Sequence, residues 1–444
     1  MTHGESRRHR RALLIVALAL VAIVVAFVFI WRGNDVRLVL FVAALCVGAV
    51  AGQPGAVLRK TAEALSDGRY VLPICSAMGF AYVVRETGCV AALVRLLLRP
   101  LARVPRLLLP GGSAIAFVVN MAIPSQTSTL AAVGPLLVAV KARLAIGAAA
   151  TGAALVFGAS IAGSLVNPGL AEVVAAATLT AIPAPQLAVW LAPAAMVSFA
   201  VGLVVLSLVR WRLAARDTPL AEEQPEDKQP QPEHSALKAL IPPLPVVWLL
   251  LGHPSLPWHA WMRRTMPEGL EVFTAMLAGS ALALTLAARD RTKATRKLFE
   301  GMGYAFMHII TIIAVSAGTA KALEVAGVLG AFVDLARGNP LIALSAAFVL
   351  AFALAVVSGS GTASSVALLT AIGPRAAELG VAPLELAGIL LLAAEAGRTT
   401  SPVAAVLLFG SHLTSTPAKT LSHRLVIPCF LGAAAGALLC ARLA

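Results

Sequence analysis

An all-α polytopic membrane protein, built from inverted repeats with re-entrant hairpins and broken helices, is the fold class that three observations predict. Hydrophobic residues make up 59% of the chain and charged residues only 13%, with a mean hydropathy of +0.87. A soluble chain carries about 25% charge, so most of this one has no water to face. Basic residues gather in short clusters at the ends of apolar runs. Two Gly/Ser/Thr-rich interruptions recur in the same order on either side of one hydrophilic linker. The first observation excludes a soluble enzyme, a nucleic-acid-binding domain and a disordered chain.

A spanning helix needs about 20 mainly apolar residues. Runs of that kind lie at 12–31, 36–52, 70–84, 144–166, 185–209, 237–251, 270–288, 304–318, 341–357, 384–396 and 425–441. Others are too short to span. The stretches 107–122 and 130–140 flank one polar knot, and 341–357 and 363–372 flank another. Half-length pieces around polar backbone suggest re-entrant hairpins or broken helices, which are tolerated at membrane depth only where they line a polar cavity or pack inside protein.

The basic clusters explain the net charge of +14. Arg7, Arg8, Arg10 and Arg11 precede the first run, and Arg95, Arg99, Arg103 and Arg106 follow the third. Arg210, Arg212 and Arg216 end a later run, while Arg289, Arg291, Lys293, Arg296 and Lys297 begin another. Such clusters mark cytoplasmic loops facing anionic lipid, not a nucleic-acid footprint. Cys46, Cys75, Cys89, Cys429 and Cys440 sit in or beside apolar segments with no metal-ligand spacing, so they read as small buried hydrophobes.

The stretch 212–233 holds Pro219, Pro225, Pro230 and Pro232 among charged residues and Gln, and reads as a solvated linker. It organises the chain into N-terminal transmembrane helices (1–61), a first repeat (62–211), a cytoplasmic linker (212–236), connecting transmembrane helices (237–297) and a second repeat (298–444). In the first repeat the knot at 124–129 precedes Val133-Gly134-Pro135, and a long helix then ends in Gly163-Ser164-Leu165-Val166-Asn167-Pro168-Gly169. In the second, 358–365 precedes Ile372-Gly373-Pro374, and a long helix ends in Gly397-Arg398-Thr399-Thr400-Ser401-Pro402. Interrupted helices at corresponding positions point to a secondary transporter. Charge placement puts the base of the first hairpin inside and that of the second outside, as inversion requires. One signal conflicts: counting back from a cytoplasmic Arg95–Arg106 puts the amino terminus outside, whereas Arg7–Arg11 puts it inside. Either a segment within 36–90 is not a simple span, or the charge rule fails locally.

The knots carry the chemistry. Glycine lets a helix unwind, and Ser and Thr supply short hydroxyl donors. A half-helix starting after a break aims its positive end at the gap, and unwound carbonyls can coordinate sodium. Candidate substrate-binding residues are therefore Ser125, Thr127, Ser128, Asn167, Ser360, Gly361, Thr362, Ser364, Arg398, Thr399, Thr400 and Ser401. Sodium has a candidate place near Ser360, Gly361 and Asn167. Arg398 is the most informative: arginine near membrane depth marks a pathway, and its planar fork suits a carboxylate. Glu395, three residues earlier on the same helical face, is either its ion-pair partner or a protonatable coupling group. Glu172 is a second coupling candidate. His308, alone in an apolar run, reads as a hydrogen-bonded interior histidine. No resident cofactor is expected beyond sodium or a proton as coupling ion.

Ser358-Gly359-Ser360-Gly361-Thr362-Ala363 followed by Gly397-Arg398-Thr399-Thr400-Ser401-Pro402 resembles the second-half signature of DcuC-type C4-dicarboxylate carriers, a GSGNAP-like turn before an LGRTLSP-like one. Thr362 stands at a family Asn, and Glu395 where Asn is expected. The resemblance implies the ion-transporter-superfamily fold, with a scaffold and a transport domain, often as a homodimer in a bacterial inner membrane. It also implies succinate, fumarate or malate as substrate. A sodium/proton antiporter using Glu395 and Glu172 is the alternative within transport. A membrane-embedded enzyme is a remote one, since neither a His/Asp/Ser cluster nor an HExxH motif is present.

Overall fold

The computed structural model describes residues 3–101, 108–142, 147–213, 236–252, 254–257, 260–261, 264, 270–286, 291–336 and 339–443. The linker from 214 onward and the basic residues Arg103, Arg106, Arg143, Arg216 and Arg289 lie outside them. Among the described residues every regular element is a helix, as a backbone without water must be to satisfy its own N–H and C=O groups. Among the described residues, five segments are long and apolar enough to cross a membrane: Ala148–Thr180, Ala184–Val209, Arg291–Val325, Pro340–Ser358 and Ala418–Leu443. The run at 237–251 is not a single span. It divides into Ala236–Leu240 and Leu244–Leu251, because Pro242 and Pro243 cannot continue the helix between them.

Two hairpins and two broken helices form the centre. The first hairpin joins Leu108–Ala122 to Gln126–Ala142. Pro124 forces the turn, and the Ser125 hydroxyl accepts from the Ser128 N–H at 3.3 Å to start the second limb. The second hairpin joins Pro340–Ser358 to Gly361–Ile372. Gly359, at φ +68°, closes its first limb, and Ser360 caps the second by accepting from the Ala363 N–H at 3.1 Å. The first broken helix runs Ala148–Ser160, unwinds through a 3-10 turn at Gly163–Val166, and resumes as Ala171–Thr180. The second runs Pro383–Thr400, breaks at Ser401-Pro402, and resumes as Ala405–Leu413.

The packing of these pieces follows one scheme. In each half the first limb of the hairpin lies against the opening segment of the broken helix, Leu108–Ala122 on Ala148–Ser160 and Pro340–Ser358 on Pro383–Thr400. Gly158 and Gly397, three and four residues before the breaks, permit the approach: a Cβ on Gly158 would lie 2.6 Å from Ser113 Cα, and one on Gly397 would lie 2.9 Å from Ala355 Cβ. The second limbs cross over. Gly361–Ile372 packs on Ala171–Thr180, and Gln126–Ala142 packs on Ala405–Leu413. After each broken helix comes a long helix, Ala184–Leu213 and Ala418–Leu443, and these two pack on one another. Their crossing is made of small residues. Ideal Cβ atoms on Gly432 and Gly436 would stand 2.5 Å and 2.7 Å from the carbonyls of Ser198 and Ala194, the close backbone approach that small-xxx-small spacing allows in membranes.

The packing of the amino-terminal region bears on the charge conflict. Val36–Val50 packs on His3–Trp31, on Pro54–Ser66 and, within the continuous helix Arg291–Val325, on its distal segment Thr311–Val325. Pro54–Ser66 returns along that segment, and Gly68–Glu86 continues along Arg291–Ala305. Ala19 shares a buried cluster with Ala322 and Ala326, and Val16 faces Gly327. The first helix, His3–Trp31, therefore begins at the opposite end of Arg291–Val325 from Arg291–Lys297. The boundaries drawn at 61/62, 211/212 and 297/298 fall inside helices.

Candidate functional site

Where the breaks meet there is a cavity of about 520 Å³. Among the described residues, besides Val36–Val50, whose start is capped by the Asp35 carboxylate, four helices begin on its wall, marked by Gln126, Ala171, Thr362 and Ala405 within the first two residues of each. The positive ends of four helix dipoles therefore converge on one polar space, which favours a bound anion. Arg398 adds a full positive charge. It sits in the last turn of Pro383–Thr400 and donates Nη2 to the Ser160 carbonyl at 3.5 Å, at the end of Ala148–Ser160. Two negative helix ends thus hold the guanidinium, while Glu172, in the first turn of Ala171–Thr180, meets a positive one.

Around Arg398 the side chains form one network. Glu395 pairs with it through Oε2, the contact expected of the i,i+3 spacing. The Ser164 hydroxyl donates to the same carboxylate oxygen at 3.2 Å. Glu172 Oε1 lies 3.7 Å from Arg398 Nη1 and accepts from the Thr362 hydroxyl at 2.5 Å. With its amide oxygen turned toward the guanidinium, Gln126 accepts from Nη1 at 3.1 Å and Nη2 at 2.9 Å. Gly361 closes over the pair: a Cβ there would lie 3.1 Å from Glu395 Oε1 and 3.3 Å from Arg398 Nη1. Among the described residues, Glu395 Oε1 and Arg398 Nε have no hydrogen-bond partner.

Ser125, Thr127, Ser128, Ser360, Thr362, Glu172 and Arg398 all line the cavity. The remaining candidates lie behind it. The Asn167 amide braces the first break, donating to the Met121 carbonyl at 3.0 Å and accepting from the Gly169 N–H at 2.9 Å. Ser364 donates back to the Ser360 carbonyl at 2.9 Å. Thr399 donates to the Glu395 carbonyl at 2.7 Å, Thr400 to the Gly397 carbonyl at 2.8 Å, and Ser401 to the Val356 carbonyl at 2.7 Å. These hydroxyls satisfy backbone at the breaks.

Sequence reasoning missed Gln126 and Ser164 as partners of the charge cluster. It also misplaced His308, which is exposed on the cavity wall and packed against Tyr304, the tilted rings 4.5 Å apart between centroids. The cause is a π-turn at Phe306–Ile310, where Thr311 N–H reaches back to the Phe306 carbonyl. The extra residue changes the exposed face of the helix and frees the Met307 carbonyl, which accepts instead from Thr311 Oγ1 and from Arg37 Nη1, each at 2.6 Å. Glycine-free and apolar, this segment carries no signal from which such a turn could be read.

Comparison with known proteins gives a consistent picture. Residues 56–438 match the DcuC family, described as the C4-dicarboxylate anaerobic carrier. An uncharacterized transporter of Haemophilus influenzae is 26% identical over 54% of this chain and 88% of its own length. Another from that organism is 35% identical over 28% of this chain and 84% of its own length. The anaerobic C4-dicarboxylate transporter DcuC of Escherichia coli K12 is 22% identical over 82% of this chain and 78% of its own length.

Proposed function

The chain belongs to the DcuC family of C4-dicarboxylate anaerobic carriers and is a membrane transporter, not an enzyme; from that premise we propose that it carries succinate, fumarate or malate through the cavity at Arg398. The observation that carries this reading is the convergence of four helix N-termini and the Arg398 guanidinium on a single polar space. A dianion entering it exchanges water for charge-assisted hydrogen bonds, without which its burial would be prohibitive.

The two halves act as inverted repeats, the hairpins and broken helices forming a transport domain against a scaffold, in a homodimer of the bacterial inner membrane. The matched order of pieces and their crossed packing support the repeat part of this reading. Coupling follows from charge. One guanidinium faces two buried carboxylates, Glu172 and Glu395, so a substrate carboxylate displaces Glu172 from Arg398 and a proton compensates. The same pair of carboxylates favours a second reading, a sodium/proton antiporter that takes no organic substrate.

Uptake of labelled succinate into proteoliposomes tests the proposal. The parent should accumulate succinate, and Arg398→Lys should lose that uptake severely, because lysine keeps the charge but not the two-point fork. Disrupting a buried charge-paired contact costs about 2–5 kcal/mol, on the order of 30- to several-thousand-fold in affinity. Proton flux without any succinate uptake would favour the antiporter.

A further inference from the structure

A dicarboxylate has two charged ends, and Arg398 can hold one. A different part of the cavity wall, built by Gly68–Glu86 and the antiparallel Arg291–Val325, carries a continuous polar and aromatic ladder. The Arg85 guanidinium lies 5.1 Å from the centroid of the Tyr82 ring. Tyr82 in turn meets Tyr304 at 5.9 Å, and Tyr304 meets His308 at 4.5 Å. All four line the same cavity as Arg398. Ile74 and Ile312 line it too, and offer apolar contact to a carbon chain.

Among the cavity's arginines, Arg85 is the one free to take a new anion. Arg398 is shared by Glu395 and Glu172. Arg37 is held by Asp35, with Nη2 to Oδ2 at 2.6 Å and Nε to Oδ1 at 3.0 Å, and spends its remaining nitrogen on the Met307 carbonyl. Arg85 makes no ion pair among the described residues. Its neighbour Glu86 turns instead to Lys293 at 2.5 Å. Stacking on Tyr82 orients one face of the guanidinium and leaves its N–H edges to donate.

We propose that Arg85, positioned by Tyr82, receives the second carboxylate and so makes the carrier select dianions over monoanions. This rests on the reading of the cavity as a dicarboxylate site. Binding of succinate and of butyrate, which share a four-carbon chain, is measured by calorimetry on the purified full-length protein and on Arg85→Gln and Arg85→Lys. In Arg85→Gln, succinate affinity should fall on the order of ten- to a hundredfold, the size expected for a hydrogen bond to a charged group. Butyrate affinity should not change, and Arg85→Lys should recover part of the loss. Unchanged succinate affinity in Arg85→Gln, or an equal loss of both ligands, would overturn the assignment while leaving the dicarboxylate site standing. A parent protein that binds neither ligand would overturn the underlying reading and this one with it.

Discussion

Glu395 and Glu172 both face Arg398, but they differ in where else they look. Glu172 lines the cavity beside Thr362. Glu395 is fully buried, held by Ser164 on one oxygen and without a hydrogen-bond partner among the described residues on the other. On the proposed reading, a substrate carboxylate arriving from the cavity meets Glu172 first, while Glu395, behind Arg398, is placed to take the compensating proton. Removing the charge of Glu395 leaves the cavity face of Arg398 intact, so Glu395→Gln should retain counterflow exchange of dicarboxylate and lose pH-driven accumulation. Equal loss of both activities would reduce Glu395 to a structural partner. The i,i+3 pair was legible in the sequence because helical geometry fixes it. Glu172 was a coupling candidate from its sequence position, but its approach to Arg398, that of Gln126 to Arg398 and that of Ser164 to Glu395 were not legible, because each comes from another element and long-range contacts leave no local spacing to read.

At the scale of elements, the polar knots were readable because proline, glycine and capping serine act locally. Pro124, Gly359 and Ser360 terminate or start helices wherever they fall. The π-turn and the crossed packing of second limbs on the opposite broken helix depend on neighbours, and so stayed hidden. The small-residue crossing of Ala184–Leu213 with Ala418–Leu443 gives a direct test of how tightly the elements are fitted. A methyl group on Gly432 would stand 2.5 Å from the Ser198 carbonyl, whereas one on Gly303 would meet nothing within 4 Å. Gly432→Ala should cost about 1–3 kcal/mol as overpacking. Gly303→Ala should be neutral or slightly stabilising, since alanine is the better helix former. Thermal unfolding of the two variants in detergent checks the contrast, and equal midpoints would mean the crossing is looser than its geometry implies.

Across the whole molecule, positive charge and helix geometry make incompatible demands. Arg7–Arg11 and Arg291–Lys297 each ask for the cytoplasm. Yet the residues beside Ala322, Ala326 and Gly327 are Ala19 and Val16, on a helix that begins further out. A continuous helix from Arg291 to Val325 is about 50 Å long at 1.5 Å per residue, enough to carry its two ends to opposite faces of a bilayer. One basic cluster must therefore sit on the outer face. The Arg291–Lys297 group is the better anchored, because Lys293 pairs with Glu86 and Lys297 with Glu300 near the end of a packed helix pair. The expectation is that the amino terminus lies outside. Single cysteines at Ser6 and Thr295, probed in intact cells with a membrane-impermeant maleimide, should react at position 6 and stay protected at 295 until the membrane is opened. Reaction at both or at neither would place the two clusters on one side, and the packing of His3–Trp31 along Arg291–Val325 would then have to be abandoned.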